Sequence, residues 1–520
     1  MTAREYHDRT AHSPASVRTS GHTLEWDIKP FPFKVYSDLP AIPLPREIDP
    51  PAIDALAALA GPAPAAPKLG LGELTAVLYY AAGVTRKKTY PGGGEVLFRA
   101  AASTGALFQT EVYVVVSAVS GLEAGLYHFC PGDFALRRVR TGDVRGALAA
   151  FAADDSLARR AATVLLTGIY WRNAWKYQAR AYRHLFWDSG TMLANLLAVA
   201  GALGLTPRLL TGFVDAEVNR LLGVDAAREA ALELVALGPD TAPAPAAAPL
   251  EAVEHATLPL SSSEVDYPLI RAIHTASSLP TADAVRAWRL PGGRHAAMSG
   301  DRPTILDDAG GRVVALPPPR KQVGRGLGET IQRRGSTRRF GHAALTAEEL
   351  GTALWAATRG LEADVPAGLV DLYLVVNAVE GVPAGAYVYR PTTHALELLA
   401  AGDFRNRSAY LCLEQPLGGD AAAVIYFLAR LDELTDLFGD RGYRLANLEA
   451  GLAGGRAYLA AYAQGFGASG LTFYDADVVR FFSPHASGKD AIFVTALGRS
   501  AADGRVTIDS NLTLRGRPSA

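Results

Sequence analysis

The 520-residue chain is predicted to fold as an α+β protein made of two tandem copies of one domain, paired within a single polypeptide. Three blocks carry the prediction. EVYVVVSAVSGLEAGLYHF at 111–129 returns as DLYLVVNAVEGVPAGAYVY at 371–389, a displacement of 260 residues (371 − 111). At the same displacement ALELVALG (231–238) returns as AIFVTALG (491–498), and with one more residue RAYRHLFWDSG (180–190) returns as RGYRLANLEAG (441–451). Solenoid repeats run to roughly 20–50 residues, so each copy here is a whole domain and the chain is the equivalent of a fused homodimer.

In chain order, the first 50 residues are rich in proline and polar groups, and WDIKPFPFKVY (26–36) reads as an extended arm with aromatic anchors. GELTAVLYYAAG (72–83) has helical apolar spacing, and EVYVVVSAV is a β-branched run expected to form a buried strand. GLEAGLYHF then supplies a turn and a second strand. A helix is expected from Asp188 to Leu205, with an acidic, serine-containing start and a glycine-rich stop. PDTAPAPAAAPLE (239–251) is a linker, SEVDYPLIRAIHTASSL a surface helix, and ALPPPRK a stiff extended piece. The expected division is 1–240 for the arm and first domain, 241–319 for a connector and 320–520 for the second domain, with a weakly held tail after Arg499.

Hydrophobic residues make up 49% and charged residues 20%, with 51 Lys+Arg against 52 Asp+Glu, as in an ordinary globular protein. That balance, without a clustered basic face, argues against nucleic acid as a partner. Cys130 and Cys412, far apart and each beside an expected strand, indicate a reducing, cytoplasmic setting and no disulfide framework. The polar N-terminus and the lack of an 18-residue apolar run predict neither export nor membrane insertion. The 11 histidines show no metal-binding spacing, so no metal is expected.

RRGSTRRF places Arg333, Arg334, Arg338 and Arg339 around Ser336. Guanidinium groups with a hydroxyl and loop amides suit a phosphate, through directional charge-assisted bonds. By composition alone a solvated turn is the commoner reading, because short arginine runs usually lie on surfaces.

RRGSTRRF, a long helix, an ELYVV-like strand and the LEAG segment resemble, in that order, the FMN-binding nitroreductase superfamily. YHDRTAHSP, FRAAASTGALFQTEVYVV, GLYHF and WKY are similar to the SagB-type dehydrogenases, which oxidise azolines to azoles in peptide natural products. The resemblance implies two nitroreductase-like domains, each a mainly antiparallel sheet with flanking helices, forming an intramolecular pseudodimer with flavin at the interface. It implies Arg334, Ser336 and Arg338 as phosphate ligands, Glu449-Ala450-Gly451 as a cofactor turn, and Arg499 as a further ligand. Ser103, Thr104 and Gly105 match the family's complementary loop, although Ala102 stands in place of the usual proline.

These elements are not duplicated. The first copy has no arginine–serine segment before GELTAVLYY, the second has only ADVPAGLVDLY in place of the Ser103 loop, and Pro239 replaces Arg499. One composite FMN site is therefore expected. Lys176 and Tyr177 match the family's proton-handling pair, with Leu437 and Phe438 in the other copy. Lysine beside tyrosine is expected to ease phenolate formation, so that Tyr177 takes a proton while hydride leaves to flavin. Tyr182-Arg183 and Tyr443-Arg444 occur in both copies and read as structural, Asp188 as a helix cap, and His7, His12 and His184 as lone histidines.

The activity implied is FMN-dependent dehydrogenation of an azoline or similar C–N site in a peptide-derived metabolite, in the company of biosynthetic enzymes. An NAD(P)H-dependent nitro, quinone or enone reductase is the alternative, and a flavin-less partner in a biosynthetic complex a second.

Overall fold

The computed structural model describes residues 1–66, 68–89, 95–247, 249–289 and 313–501. The expectation for the tail lies almost wholly outside them. Each copy builds one seven-stranded antiparallel sheet, and strand order is the same in both. In the first, the order across the sheet is Ala41–Pro43, Ala135–Thr141, Gly125–Cys130, Thr110–Val116, Arg160–Ile169, Glu229–Asp240 and Arg208–Leu210. In the second it is Val313–Ala315, Ala395–Ala401, Gly385–Arg390, Asp371–Val376, Ala423–Ala429, Asp490–Gly498 and Gly467–Gly470. The central strands TEVYVVV and AVIYFLA are buried at every position, which suits their near-continuous apolar sequence.

One long central helix per copy, Ala181–Ala202 and Arg441–Ala463, lies between the sheets and is buried along almost its whole length. The two cross at glycines: a Cβ on Gly190 would stand 2.6 Å from the Leu448 carbonyl oxygen, and one on Gly451 2.5 Å from that of Trp187. Backbone-to-backbone contact of this kind requires that neither residue carry a side chain.

The first central helix begins at Ala181, seven residues before the expected start at Asp188. The expected start rested on the acidic, serine-containing stretch at Asp188; Arg180 and Arg183 ahead of it are buried and neutralised by Asp475 of the second copy, at 3.0 and 2.6 Å. Asp188 accordingly lies within the helix and does not cap it. Likewise Glu449-Ala450-Gly451 is the middle of the second central helix, not a turn.

Asp215 repeats the arrangement, binding Arg441 and Arg444 at 2.7 Å each. Each arginine pair also holds a short helix from an arm. Arg183 donates to the His7 carbonyl and Thr10 hydroxyl beside the helix Ala3–Arg9, and Arg444 to the His274 carbonyl and Ser277 hydroxyl beside Pro268–Ala276. The connector helix is thus the second copy's counterpart of the N-terminal arm. Buried pairs whose partners come from different segments fix how the copies dock, because leaving either charge alone would be costly.

Candidate active site between the two copies

A cleft of about 250 Å³ opens where the copies meet. The first copy contributes the loop Ala102–Ala106, Lys176 and Tyr177, and Trp187, Asp188 and Thr191 of its central helix. The second contributes Ser336, Arg338, Gln415, Tyr458, Gly470, Leu471, Thr472 and Phe493. Ser103, Thr104, Gly105, Lys176, Tyr177, Ser336 and Arg338 are therefore brought together although they span more than 230 positions.

Asp188 organises the loop. It accepts from the Ser103 hydroxyl at 2.6 Å, the Thr104 hydroxyl at 2.6 Å, the Thr104 amide at 2.9 Å and the Gln109 side chain at 2.7 Å. Both hydroxyls are thereby committed inside the loop, so what the loop offers a ligand is backbone and shape. Burial lifts the Asp188 carboxyl to about 6 against the opposing effect of those bonds. Gly105, Ala106 and Phe108 all have left-handed backbone, at φ of 64, 53 and 53°. Such strain persists only where surrounding contacts over-determine it, as at ligand clamps. A Cβ on Gly105 would come within 3.0 Å of the Tyr177 hydroxyl.

The helix Tyr170–Tyr177 ends at the cleft, and Gln178 at φ 50° turns the chain into the central helix. Tyr177 packs edge-on against His184 at 4.5 Å, and His184, bonded to Asn173 at 2.8 Å, stacks on Trp187. Burial holds His184 well below its ordinary pKa, so it is neutral packing beneath the tyrosine. Burial, then the Asp188 charge, push the Tyr177 hydroxyl up, while Arg338 acts in the opposite sense. Lys176 Nζ lies over the phenol ring, 5.4 Å from its centroid. Burial, Arg338 and Lys29 together pull the Lys176 ammonium down. The expectation that lysine eases a phenolate is corrected: the surroundings favour a neutral phenol and shift the amine towards its neutral form.

At the other end, Arg86, which sequence reasoning missed, lies against Gly335 between Arg334 and Ser336, without itself lining the cleft. Arg86 lies in the first-copy hairpin of Val84–Thr89 and Glu95–Arg99, and its guanidinium comes against Gly335. Its Nε is buried without a hydrogen-bond partner. Among the described residues, no ion pair neutralises Arg86, Arg334 or Arg338. Arg86 sits in the RKK run at 86–88, which sequence alone gives no reason to separate from a solvated surface.

Five expected cofactor ligands are placed elsewhere or differently. Arg334 is buried and donates to the carbonyls of Ala100 at 2.9 Å and Arg99 at 3.1 Å, so it docks the copies just before the Ser103 loop. Arg499 is bound to Glu349 at 2.7 and 2.8 Å and lines no part of the cleft. Glu449 accepts from the Gly368 and Leu369 amides at 3.0 and 2.8 Å, facing a separate cavity of the second copy. Gly451 is spent on the helix crossing, and Ala450 is buried beside it.

A family model for nitroreductases matches residues 48–238 and 331–498, both copies and most of the chain. The chain belongs to the nitroreductase family. A nitroreductase homologue of Methanocaldococcus jannaschii is 29% identical over 161 residues, 29% of this chain and 81% of that protein. The microcin B17-processing protein McbC of Escherichia coli is 28% identical over 129 residues, 24% of this chain and 47% of that protein. A nitroreductase crystal structure from Anabaena variabilis superposes with a TM-score of 0.75 at 27% identity, covering 96% of this chain and 99% of the other.

At the position equivalent to the cleft, the interface between the copies is closed by the chain itself, and Glu449 and Leu452, the counterparts of Asp188 and Thr191, face the separate second-copy cavity. The helix Leu431–Phe438 matches Tyr170–Tyr177 and ends in Leu437 and Phe438. The loop after Ala55–Ala60, in the place of Arg334–Arg338, begins Gly61-Pro62-Ala63-Pro64-Ala65. Ala363 bridges to Leu209, and Asp364 accepts from the Thr211 and Gly212 amides at 2.8 and 2.9 Å. Trp288 covers Gly212, and Arg289 reaches Asp364 at 3.1 Å. Among the described residues there is no helix long and apolar enough to cross a membrane and no group of three potential metal ligands.

Proposed function

We propose that this nitroreductase-family oxidoreductase is an FMN-dependent dehydrogenase of the SagB type, acting on an azoline or similar C–N site in a peptide-derived substrate. The observation that carries the reading is the convergence of Lys176 and Tyr177 with the Ser103–Gly105 loop and Arg338 in one cleft, while the equivalent position is closed. Similarity to the microcin B17-processing protein supports a peptide substrate and biosynthetic partner enzymes.

The residues fit FMN. Ser336, Arg338 and Arg86, with its orphaned buried Nε, make a cationic end for a phosphate. Trp187, Tyr458 and Phe493 line the remainder with aromatic surface, and Gly105 and Gly470 leave room beside the backbone. FMN held there would supply the two-electron acceptor, the part of the chemistry that side chains cannot provide.

The chain's own residues handle the proton. Lys176, shifted towards its neutral amine and free of a carboxylate partner among the described residues, accepts the proton from the substrate carbon. Tyr177, kept as a neutral phenol, donates a hydrogen bond to the substrate and holds its orientation. Asp188 keeps the Ser103–Gly105 loop pressed against the Tyr177 hydroxyl.

Purified chain should carry FMN at a stoichiometry near one. Anaerobic mixing with a thiazoline- or oxazoline-containing peptide should bleach the flavin band, and mixing with NADPH should leave it unchanged. Rapid bleaching by NADPH alone would move the protein to the reductases, and colourless protein that refuses FMN would remove the flavin reading.

A further inference from the structure

The two arms follow the same course past their first helices. His12 donates its amide to Asp475 at 2.8 Å and accepts that residue's amide at 3.1 Å. Leu279 donates to Asp215 at 2.8 Å and accepts at 3.3 Å. Ser13 or Thr281 then caps a short helix, Pro14–Thr19 (PASVRT) or Ala282–Trp288 (ADAVRAW). Val17 and Arg18 align with Val285 and Arg286, which sets Ser20 against Trp288 and Gly21 against Arg289.

The two helices end differently. Val285 is fully buried and Trp288 is 8% exposed, with its indole N–H on the Phe438 carbonyl at 3.0 Å and its ring against Gly212. Arg289 donates to the carbonyls of Gly212 and Ala153 at 2.7 and 2.9 Å. Pro14–Thr19 buries no residue, Val17 is 37% exposed, and a Cβ on Gly21 would meet nothing within 4 Å. Yet this arm is tied down on both sides of the cleft. Beyond it, the Trp175 indole donates to the Glu25 carbonyl at 2.8 Å and packs edge-on against Trp26 at 5.3 Å, next to Lys176. Residues 13–24 therefore run from the second copy back to the first. The counterparts of Gly212 and Phe438 are Thr472 and Tyr177, both on the cleft wall.

We infer that Pro14–Gly21 is the substrate-side roof of the cleft, and that Ser20 and Gly21 leave open the slot which Trp288 and Arg289 fill at the equivalent position. The slot takes a flat aromatic or heteroaromatic ring of the substrate, about the size of an indole, against Thr472 and Tyr177. Ser20 and Gly21 are then specificity-determining: bulk there excludes substrate without touching the cationic end of the cleft. The inference rests on the cleft being the reaction site, and its geometry does not depend on which cofactor is bound.

Hydrogen exchange on the full chain tests it. In the wild type, amides of 15–21 should exchange faster than those of 282–288, and free indole, as the probe, should slow them at least ~10-fold. Ser20→Trp should show that protection without indole and gain none when indole is added. Unchanged exchange at 15–21 in both experiments overturns the roof. The double variant Trp288→Ser, Arg289→Gly should bring 282–288 to the rate of 15–21, and persistent protection there overturns the comparison between the arms. Flavin absorbance of the same samples separates the two readings: Ser20→Trp should retain wild-type flavin, whereas colourless wild-type protein with the expected exchange pattern would remove the cofactor and leave the roof.

Discussion

Gly190 and Gly451, 261 positions apart (451 − 190), meet back to back at the crossing of the two central helices, each too close to the other's backbone to admit a Cβ. Gly451→Val should force the helices apart and cost about 3 kcal/mol or more, since over-packing at a backbone contact has no flexible side chain to yield. Thermal unfolding reports the loss. The same variant should weaken flavin binding, because both walls of the cleft ride on these helices.

Lys176 and Tyr177 act in different ways on the proposed reading. Tyr177→Phe should retain flavin and lose turnover by roughly 10²-fold or more, the range of a positioned proton-handling group. Lys176→Met should be at least as severe. In the wild type, activity should rise with pH along a limb that lies below the ordinary lysine range, because burial, Arg338 and Lys29 all favour the neutral amine. A limb at the ordinary lysine value, or full activity in Lys176→Met, would return that residue to the surface.

The cationic end should distinguish FMN from riboflavin. Arg86→Ala and Arg338→Ala should each weaken FMN by about tenfold or more and leave riboflavin affinity nearly unchanged, as expected for charge-assisted bonds to the phosphate alone. Titration of apoprotein by flavin fluorescence reads both. Arg334→Ala should instead lower stability, because its guanidinium holds the carbonyls of Arg99 and Ala100.

Glu233, the counterpart of Phe493, is fully buried, and burial lifts its carboxyl to about 8 from 4.5 against the opposing effects of the Ser189 hydroxyl and Arg444. A carboxyl raised on folding stabilises below its unfolded pKa and loses that contribution as pH rises through the folded value. Stability should therefore fall between about pH 4.5 and 8, by on the order of a few kcal/mol. Asp188, lifted to about 6, and Glu449, lifted to about 7, contribute with the same sign. Chemical denaturation across this range should show a flatter profile for Glu233→Leu, which is also expected to be more stable than wild type at pH 8.5.

The sequence by itself determined the duplication, the α+β class, the central strands and the separation of the Arg334–Arg338 segment from the Ser103 loop. These are local signals, carried by apolar periodicity and by what each copy lacks. It read Asp188 as a helix cap and Arg183 as structural without a partner, because nothing local says which charge a buried charge will meet. Only the tertiary structure pairs Arg180 and Arg183 with Asp475 and turns Asp188 inward onto Ser103 and Thr104. It likewise moved Arg334, Glu449 and Arg499 off the cleft, set Arg86 against Gly335 beside it, and showed Trp288 closing the equivalent position. Each of those outcomes depends on which backbone comes to lie opposite a side chain, which is set by the packing of the two copies against each other.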